Sequence, residues 1–188
     1  MEAELKKILA RREKKHISDK RRLSSAVLIP IYQDAGEYNI IFIQRTMTVK
    51  EHKGQISFPG GTRDKEDKSL LETALRESEE EIGLHRKDAT LLGELDDEIT
   101  TTSNFIVTPF IASIPWPYTF KPSKAEVEKV ISVPVKAVLD KKCLKPDTEI
   151  LEGKKVASFA YYYRGTVIWG ATARILNKLL EIIENITG

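Results

Sequence analysis

The chain has 188 residues, 41% of them hydrophobic and 31% charged, with a formal net charge of +2. That length sustains one core and one domain, and so small a net charge gives no global field arguing for nucleic acid as a partner. Cys143 is the single cysteine, which excludes an internal disulfide. No apolar run approaches the roughly 20 residues that cross a membrane, and the first residues are too charged for a secretory signal. The expectation is a soluble, cytoplasmic protein with no membrane partner.

In chain order, residues 2–14 place Leu5, Ile8 and Leu9 at helical spacing, and residues 16–22 form a basic connector. Residues 1–23 are therefore read as helix plus connector ahead of a single domain over 24–188. The apolar, β-rich runs 26–32 and 38–43, separated by Asp34-Ala35-Gly36-Glu37, predict a hairpin. Phe58-Pro59-Gly60-Gly61 couples a rigid step to two residues free to take unusual backbone angles. After it, Leu71, Leu75, Ser78 and Ile82 recur at the 3.6-residue period and predict a helix with that side toward a core, closed by Gly83. Further strands are expected near 90–94, 106–114, 128–133 and 156–163. Pro115, Pro117 and Pro122 mark a surface loop, and a last helix over 171–184 turns Ile175, Leu176, Leu179, Leu180 and Ile183 inward. Strands and helices interspersed in this way predict an α/β/α sandwich around a mixed β-sheet.

The chemistry lies on the helix after the glycines. Glu77, Glu80 and Glu81 stand at i, i+3 and i+4 and share one stripe. Like charges so spaced cost a helix roughly 0.2–0.5 kcal/mol per pair unless a cation neutralises them, and Mg²⁺ or Mn²⁺ are hard ions that prefer such oxygen ligands. The plain alternative is a solvated helix face, and the flanking glycine loop and Gly83 stop weigh against it. Arg76, about a quarter-turn away from the acidic stripe, is assigned to anchoring a carboxylate or a loop carbonyl with its planar fork.

Gly61, Arg76, Glu77, Glu80, Glu81, Gly83 and Leu84 resemble the Nudix box. The span from Gly61 to Arg76 is one residue longer than that pattern, Asp67 stands near the place of its first glutamate, and Ser78 takes an aliphatic position. Upstream, the run from Arg45 through His52 to Phe58-Pro59-Gly60-Gly61 is similar to the signature of the coenzyme A diphosphatase branch, with Thr46 and Val49 as mild departures. Thr102-Ser103-Asn104-Phe105 and Ile168-Trp169-Gly170-Ala171-Thr172-Ala173-Arg174-Ile175 are similar to later segments of that branch.

The resemblance implies a Nudix-type sandwich and metal-dependent hydrolysis of a diphosphate bond. Glu77, Glu80 and Glu81 would serve as metal ligands, with a carbonyl near Gly60 or Gly61 as a further donor. Arg45, His52, Gly60 and Gly61 would bind substrate. Glu126, ahead of a late strand, is the candidate general base, with Glu98 as the alternative. The expected partner is a small nucleotide-type molecule: coenzyme A or an acyl-CoA, giving 3′,5′-ADP and the phosphopantetheine portion, or else a nucleoside triphosphate or dinucleotide. A non-catalytic nucleotide-binding module is the third reading, disfavoured by the intact acidic trio. Neither metal preference nor a possible homodimer is decided by the residues.

Overall fold

The computed structural model describes residues 1–47, 53–101, 103–151 and 153–187. In chain order, helix α1 (Glu2–Arg11) is followed by strands β1 (Leu23–Asp34), β2 (Glu37–Arg45), β3 (Ile56–Ser57) and β4 (Gly60–Thr62) and helix α2 (Leu70–Ile82). Then come β5 (Thr90–Glu94), β6 (Glu98–Ile99), β7 (Phe105–Ser113), β8 (Val127–Pro134) and the short α3 (Val135–Leu139). Strands β9 (Leu144–Leu151), β10 (Lys154–Tyr163) and β11 (Thr166–Ile168) lead into α4 (Gly170–Thr187).

Strand β1 is the spine. It runs parallel to β7 from Leu23 against Phe105 to Ile31 against Ser113, and antiparallel to β2 and β4. The main sheet has the order β3-β2-β1-β7-β5, with β4 on β1, β6 on β7 and β8 on β2. One parallel pair among antiparallel ones makes the sheet mixed, as expected. Alternation along β1 divides its side chains between two cores. Ala26 and Leu28 face α2 with its Ala74 and Ile82. Ile29 and Ile31 face Leu5 and Leu9 of α1 and Leu176, Leu179 and Ile183 of α4. The result is helices on both faces of the sheet.

Residues 1–23 are packed into this body. Leu5 and Leu9 are buried in the α4-side core, and a Cβ on Gly93 of β5 would stand 2.6 Å from the Cβ of Leu9. The connector is strapped down by two aspartates: Asp96 accepts from the Lys15 amide and Asp97 from the Ile17 amide, both at 2.9 Å. Helix α1 stops at Arg11, short of the expected Lys14.

Helix α2 begins where the Ser69 hydroxyl accepts the Glu72 amide, and the Glu72 carboxylate reaches back to accept the amide of Lys68, one residue before the cap. It ends at Gly83, whose φ of 69° is the left-handed turn that favours glycine. Its buried face keeps the expected Ser78 and Ile82 but is otherwise rotated. Thr73, Ala74, Ser78, Glu81 and Ile82 are buried, while Leu71 and Leu75 are only half-covered. Small side chains let the helix settle close to the sheet, and Ser78 pays no penalty because its hydroxyl donates to the Ala74 carbonyl at 2.7 Å.

The strand expected over 156–163 is β10, but it belongs to a second sheet of three antiparallel strands, β9-β10-β11, of which β9 and β11 were not expected. Strand β9 carries Lys145, Asp147, Thr148 and Glu149 and so lacks the apolar run by which strands were sought. Strands β3 and β4 are too short to show a period, so the glycine segment, expected to be a loop, belongs instead to the main sheet. Leu5 has no exposed surface, so Leu5→Ala is expected to lower the urea-unfolding free energy by about 2–5 kcal/mol. A loss well under 1 kcal/mol would mean that α1 is not part of the cooperative core.

Candidate active site

The acidic helix meets the sheet at the two glycines. Gly60, at φ 152°, pairs with Val27, and a Cβ there would lie 2.3 Å from the Ala26 carbonyl oxygen. A Cβ on Gly61 would lie 2.5–2.7 Å from the carboxylate atoms of Glu77. Gly60 thus lets β4 lie close against β1, and Gly61 leaves bare backbone for the end of the Glu77 side chain. The Gly60 amide donates to Oε2 of Glu81 at 2.9 Å, and Arg45 Nη1 donates to its Oε1 at 3.3 Å.

Arg76 does what its planar fork suggested. Its Nε and Nη2 grip both oxygens of Asp67 at 3.1 and 3.0 Å, and Nη2 also donates to the Thr62 carbonyl at 3.2 Å. Nη1 reaches Glu77 at 2.9 Å and Glu80 at 3.1 Å. Asp67 is buried, accepts the Thr73 hydroxyl at 2.9 Å and the Asp64 amide at 2.9 Å, and thereby pins the longer loop to α2. Its hydrogen bonds to Arg76, ahead of every other cause, hold its carboxyl well below the ordinary 3.8. This is a structural clamp, and the place of Asp67 in the motif left its role open.

The acidic trio does not converge as the helical spacing suggested. Among the described residues no three Asp, Glu, His or Cys groups are gathered closely enough to hold a metal ion. The reason is electrostatic: Glu77 and Glu80 turn to the intervening guanidinium of Arg76, while Glu81 points down to Gly60 and Arg45. Charge compensation is nevertheless incomplete. Glu81 is 1% exposed, and burial pushes its carboxyl up to about 8, with the nearby charges of Glu77 and Glu126 adding to the rise. Burial raises Glu77 as well, and Glu80 and Glu126 contribute. Oxygen donors short of positive charge are what a hard divalent cation satisfies, so the donor set fits such an ion.

Glu126 is exposed, and its charge is felt at both Glu77 and Glu81. Backbone bonds put it there. Lys121 and Ser123 donate to the Ile82 and Glu81 carbonyls at the end of α2, the Glu126 amide returns to Ser123, and the Thr46 amide donates to the Glu126 carbonyl. Glu98 is engaged elsewhere, 2.9 Å from Arg174 Nε and 2.7 Å from Lys178 Nζ. His52 lies outside the described residues. Trp116 stacks on Tyr32 with ring centroids 3.8 Å apart, and Tyr118 packs on Phe120, so these loop aromatics are packing groups.

Sequence reasoning missed a cavity of about 260 Å³ on the α4 side of β4. Gly60, Gly61 and Arg45 line it together with Thr101, Trp169 and Thr172. The junction from Trp169 to Thr172 was visible as a motif, but its neighbours become visible only once the chain is folded.

A family model for the NUDIX domain matches residues 22–152. The chain is 32% identical over 170 residues to an uncharacterized Nudix hydrolase, NudL, of Photorhabdus laumondii, covering 90% of this chain and 89% of that protein. A NudL of Yersinia enterocolitica is 33% identical over 160 residues, covering 85% and 81%. In fold the chain is similar to the Nudix hydrolase RenU of M. smegmatis (TM-score 0.57, 19% identity, 88% of each chain). It is similar also to the NUDIX domain of Shewanella oneidensis NrtR, solved with ADP ribose (TM-score 0.58, 16% identity, 97% of each chain). The chain belongs to the Nudix hydrolase family, whose members hydrolyse pyrophosphate linkages in nucleoside diphosphate derivatives and generally use divalent metal cations.

Asp67→Asn tests the clamp. Because the folded carboxyl is held below its ordinary value, its contribution is present above 3.8 and is lost as the pH falls through the lowered folded value. The variant is expected to melt below the wild type at pH 7, with the gap closing as the pH drops below 3.8. A gap independent of pH would remove the ion pair as its source.

Proposed function

We propose that this chain is a coenzyme A diphosphatase, cleaving coenzyme A or an acyl-CoA at the diphosphate to 3′,5′-ADP and (acyl-)4′-phosphopantetheine. The hydrolase class follows from the family. The coenzyme preference is supported by the residues from Arg45 to Gly61 and from Trp169 to Arg174, which resemble that branch. The observation carrying the site assignment is Glu81, a carboxylate buried at the glycine edge, short of compensating charge and beside Glu77.

Glu77, Glu80 and Glu81 would hold Mg²⁺ or Mn²⁺, which when bound neutralises phosphoryl oxygens and lowers the pKa of a water molecule. The chain's own groups do the rest. Gly60 and Arg45 fix the orientation of Glu81 through their hydrogen bonds to its two oxygens. Arg45 and His52 offer donors to the non-bridging oxygens of the diphosphate, and the bare backbone at Gly60 and Gly61 lets those oxygens approach. Glu126 accepts the proton of the attacking water as its oxygen bonds to phosphorus. The P–O bond to the bridging oxygen breaks, and that oxygen leaves with the electron pair on the departing phosphate. Arg76 and Asp67 hold α2 against the loop so that these groups stay in register.

Glu81→Gln keeps the shape of the buried side chain and removes its charge. It is expected to reduce Mg²⁺-dependent turnover by at least about 100-fold with the circular-dichroism spectrum retained, and unchanged turnover would refute the ligand assignment. Glu126→Gln is expected to lower kcat by about 100-fold, with KM little altered, a loss typical of a removed general base. Full activity in that variant would leave the proton transfer to another group. In a panel of coenzyme A, NADH, ADP-ribose and nucleoside triphosphates, coenzyme A is expected to give the highest kcat/KM. Its ranking last would end the coenzyme reading while leaving the hydrolase class intact.

A further inference from the structure

The cavity beside the glycines differs in character from the acidic helix. Its walls come from the α4 side of the sheet, including Phe105, Trp169 and Ile175, with hydroxyls of Thr101 and Thr172 between them. Among the described lining residues Arg45 is the sole charged one and none is acidic. At about 260 Å³ it lies just below the roughly 300–1,000 Å³ of pockets that enclose a whole small ligand, and so suits one arm of a larger molecule.

A second observation points to a ligand. Among the described residues the buried side-chain polar atoms lacking a hydrogen-bond partner are Arg45 Nε and Ser103 Oγ, and both residues line this cavity. Buried polar groups are paired in folded proteins as a rule, so unpaired atoms on two residues of the cavity wall are groups that a bound molecule's polar atoms would satisfy once those side chains turn inward. The walls are also preset. Arg174 of α4 donates to the Ile99 carbonyl at 2.8 Å and to both oxygens of Glu149 at 2.6 and 2.7 Å, and Glu149 in turn accepts the Thr101 hydroxyl at 2.7 Å. Helix, small sheet and the segment carrying Thr101 are thereby locked together, which reduces the ordering cost of binding.

We infer that this cavity binds the uncharged, amide- and hydroxyl-bearing arm of the diphosphate substrate, leaving its anionic nucleotide half outside. The inference rests on the diphosphatase reading and adds which half of the substrate is read, and by which residues. Gly60, Gly61 and Arg45 belong both to the cavity and to the surroundings of Glu77 and Glu81, so a diphosphate at the carboxylates has one substituent at the cavity mouth. A nucleotide carrying a further phosphate would need several cations, whereas the lining supplies one that is already paired with Glu81. An arm of methylenes and amides matches apolar walls with a few donors and acceptors.

The test is binding, independent of turnover. Trp169 lines the cavity and Trp116 stacks on Tyr32 away from it, so full-length protein carrying Trp116→Phe reports the cavity through Trp169 emission. With Mg²⁺ present, 4′-phosphopantetheine is expected to change that emission saturably, and adenosine 3′,5′-bisphosphate is not. Ala171→Leu, which narrows the cavity, is expected to raise the Kd at least tenfold with the thermal melt unchanged. Should that variant fold poorly, Ser103→Ala is expected to weaken binding severalfold by removing one polar partner. A response to the bisphosphate alone, equal responses to both, no response to 4′-phosphopantetheine, or a Kd indifferent to the cavity variants would overturn the assignment. Coenzyme A hydrolysis by the same protein separates the two readings. Turnover without arm binding overturns the cavity assignment alone, whereas arm binding without turnover upholds the cavity and overturns the diphosphatase reading.

Discussion

The close approach of strand β4 to helix α2 at Gly60 and Gly61 is the contact on which the rest of the molecule depends. There the Gly60 amide holds the Glu81 carboxylate, and the missing side chain of Gly61 lets the Glu77 carboxylate lie on bare backbone. The same strand pairs with β1, the spine that sets the parity of both cores. A Cβ at Gly60 would collide with β1 itself, while one at Gly61 would collide only with the end of the Glu77 side chain. The first glycine is therefore a requirement of the fold and the second a requirement of the site.

Around this contact the protein manages an excess of negative charge. Arg76 answers Asp67 fully and Glu77 and Glu80 in part, and Arg45 answers Glu81 from 3.3 Å. Glu81 stays under-compensated because its burial removes the water that would otherwise stabilise its charge. The segment from Lys121 to Glu126 belongs to the same system, since its backbone is bolted to the last carbonyls of α2 and carries a further carboxylate to the trio.

Two charged networks on the other side of the sheet serve shape. Asp96 and Asp97 hold the N-terminal connector along the edge of the sheet, and Arg174 ties α4 to Glu98 and Glu149. The second network explains why Glu98, a reasonable base candidate by its place in the chain, is spoken for. It also explains how a small polar hairpin, β9 with β10, comes to brace the cavity wall.

Local chemistry alone determined much of this. Gly83 and the 3.6-residue period set helix α2, continuous apolar runs set β1, β2 and β7, and the spacing of Glu77, Glu80 and Glu81 put the acids on one helix, because each depends on neighbours within a few residues. Tertiary structure decided what depends on distant partners. It kept Ser78 and Ile82 in the buried face but chose Thr73 and Ala74 over Leu71 and Leu75, since helix depth is set by what the sheet opposite allows. It made β9 a strand despite its polar residues, since β10 supplies the hydrogen bonds that composition does not advertise. It turned Glu77 and Glu80 toward Arg76 and brought Glu126 across the chain to Glu77 and Glu81, since electrostatic balance is settled by charges that only folding brings together.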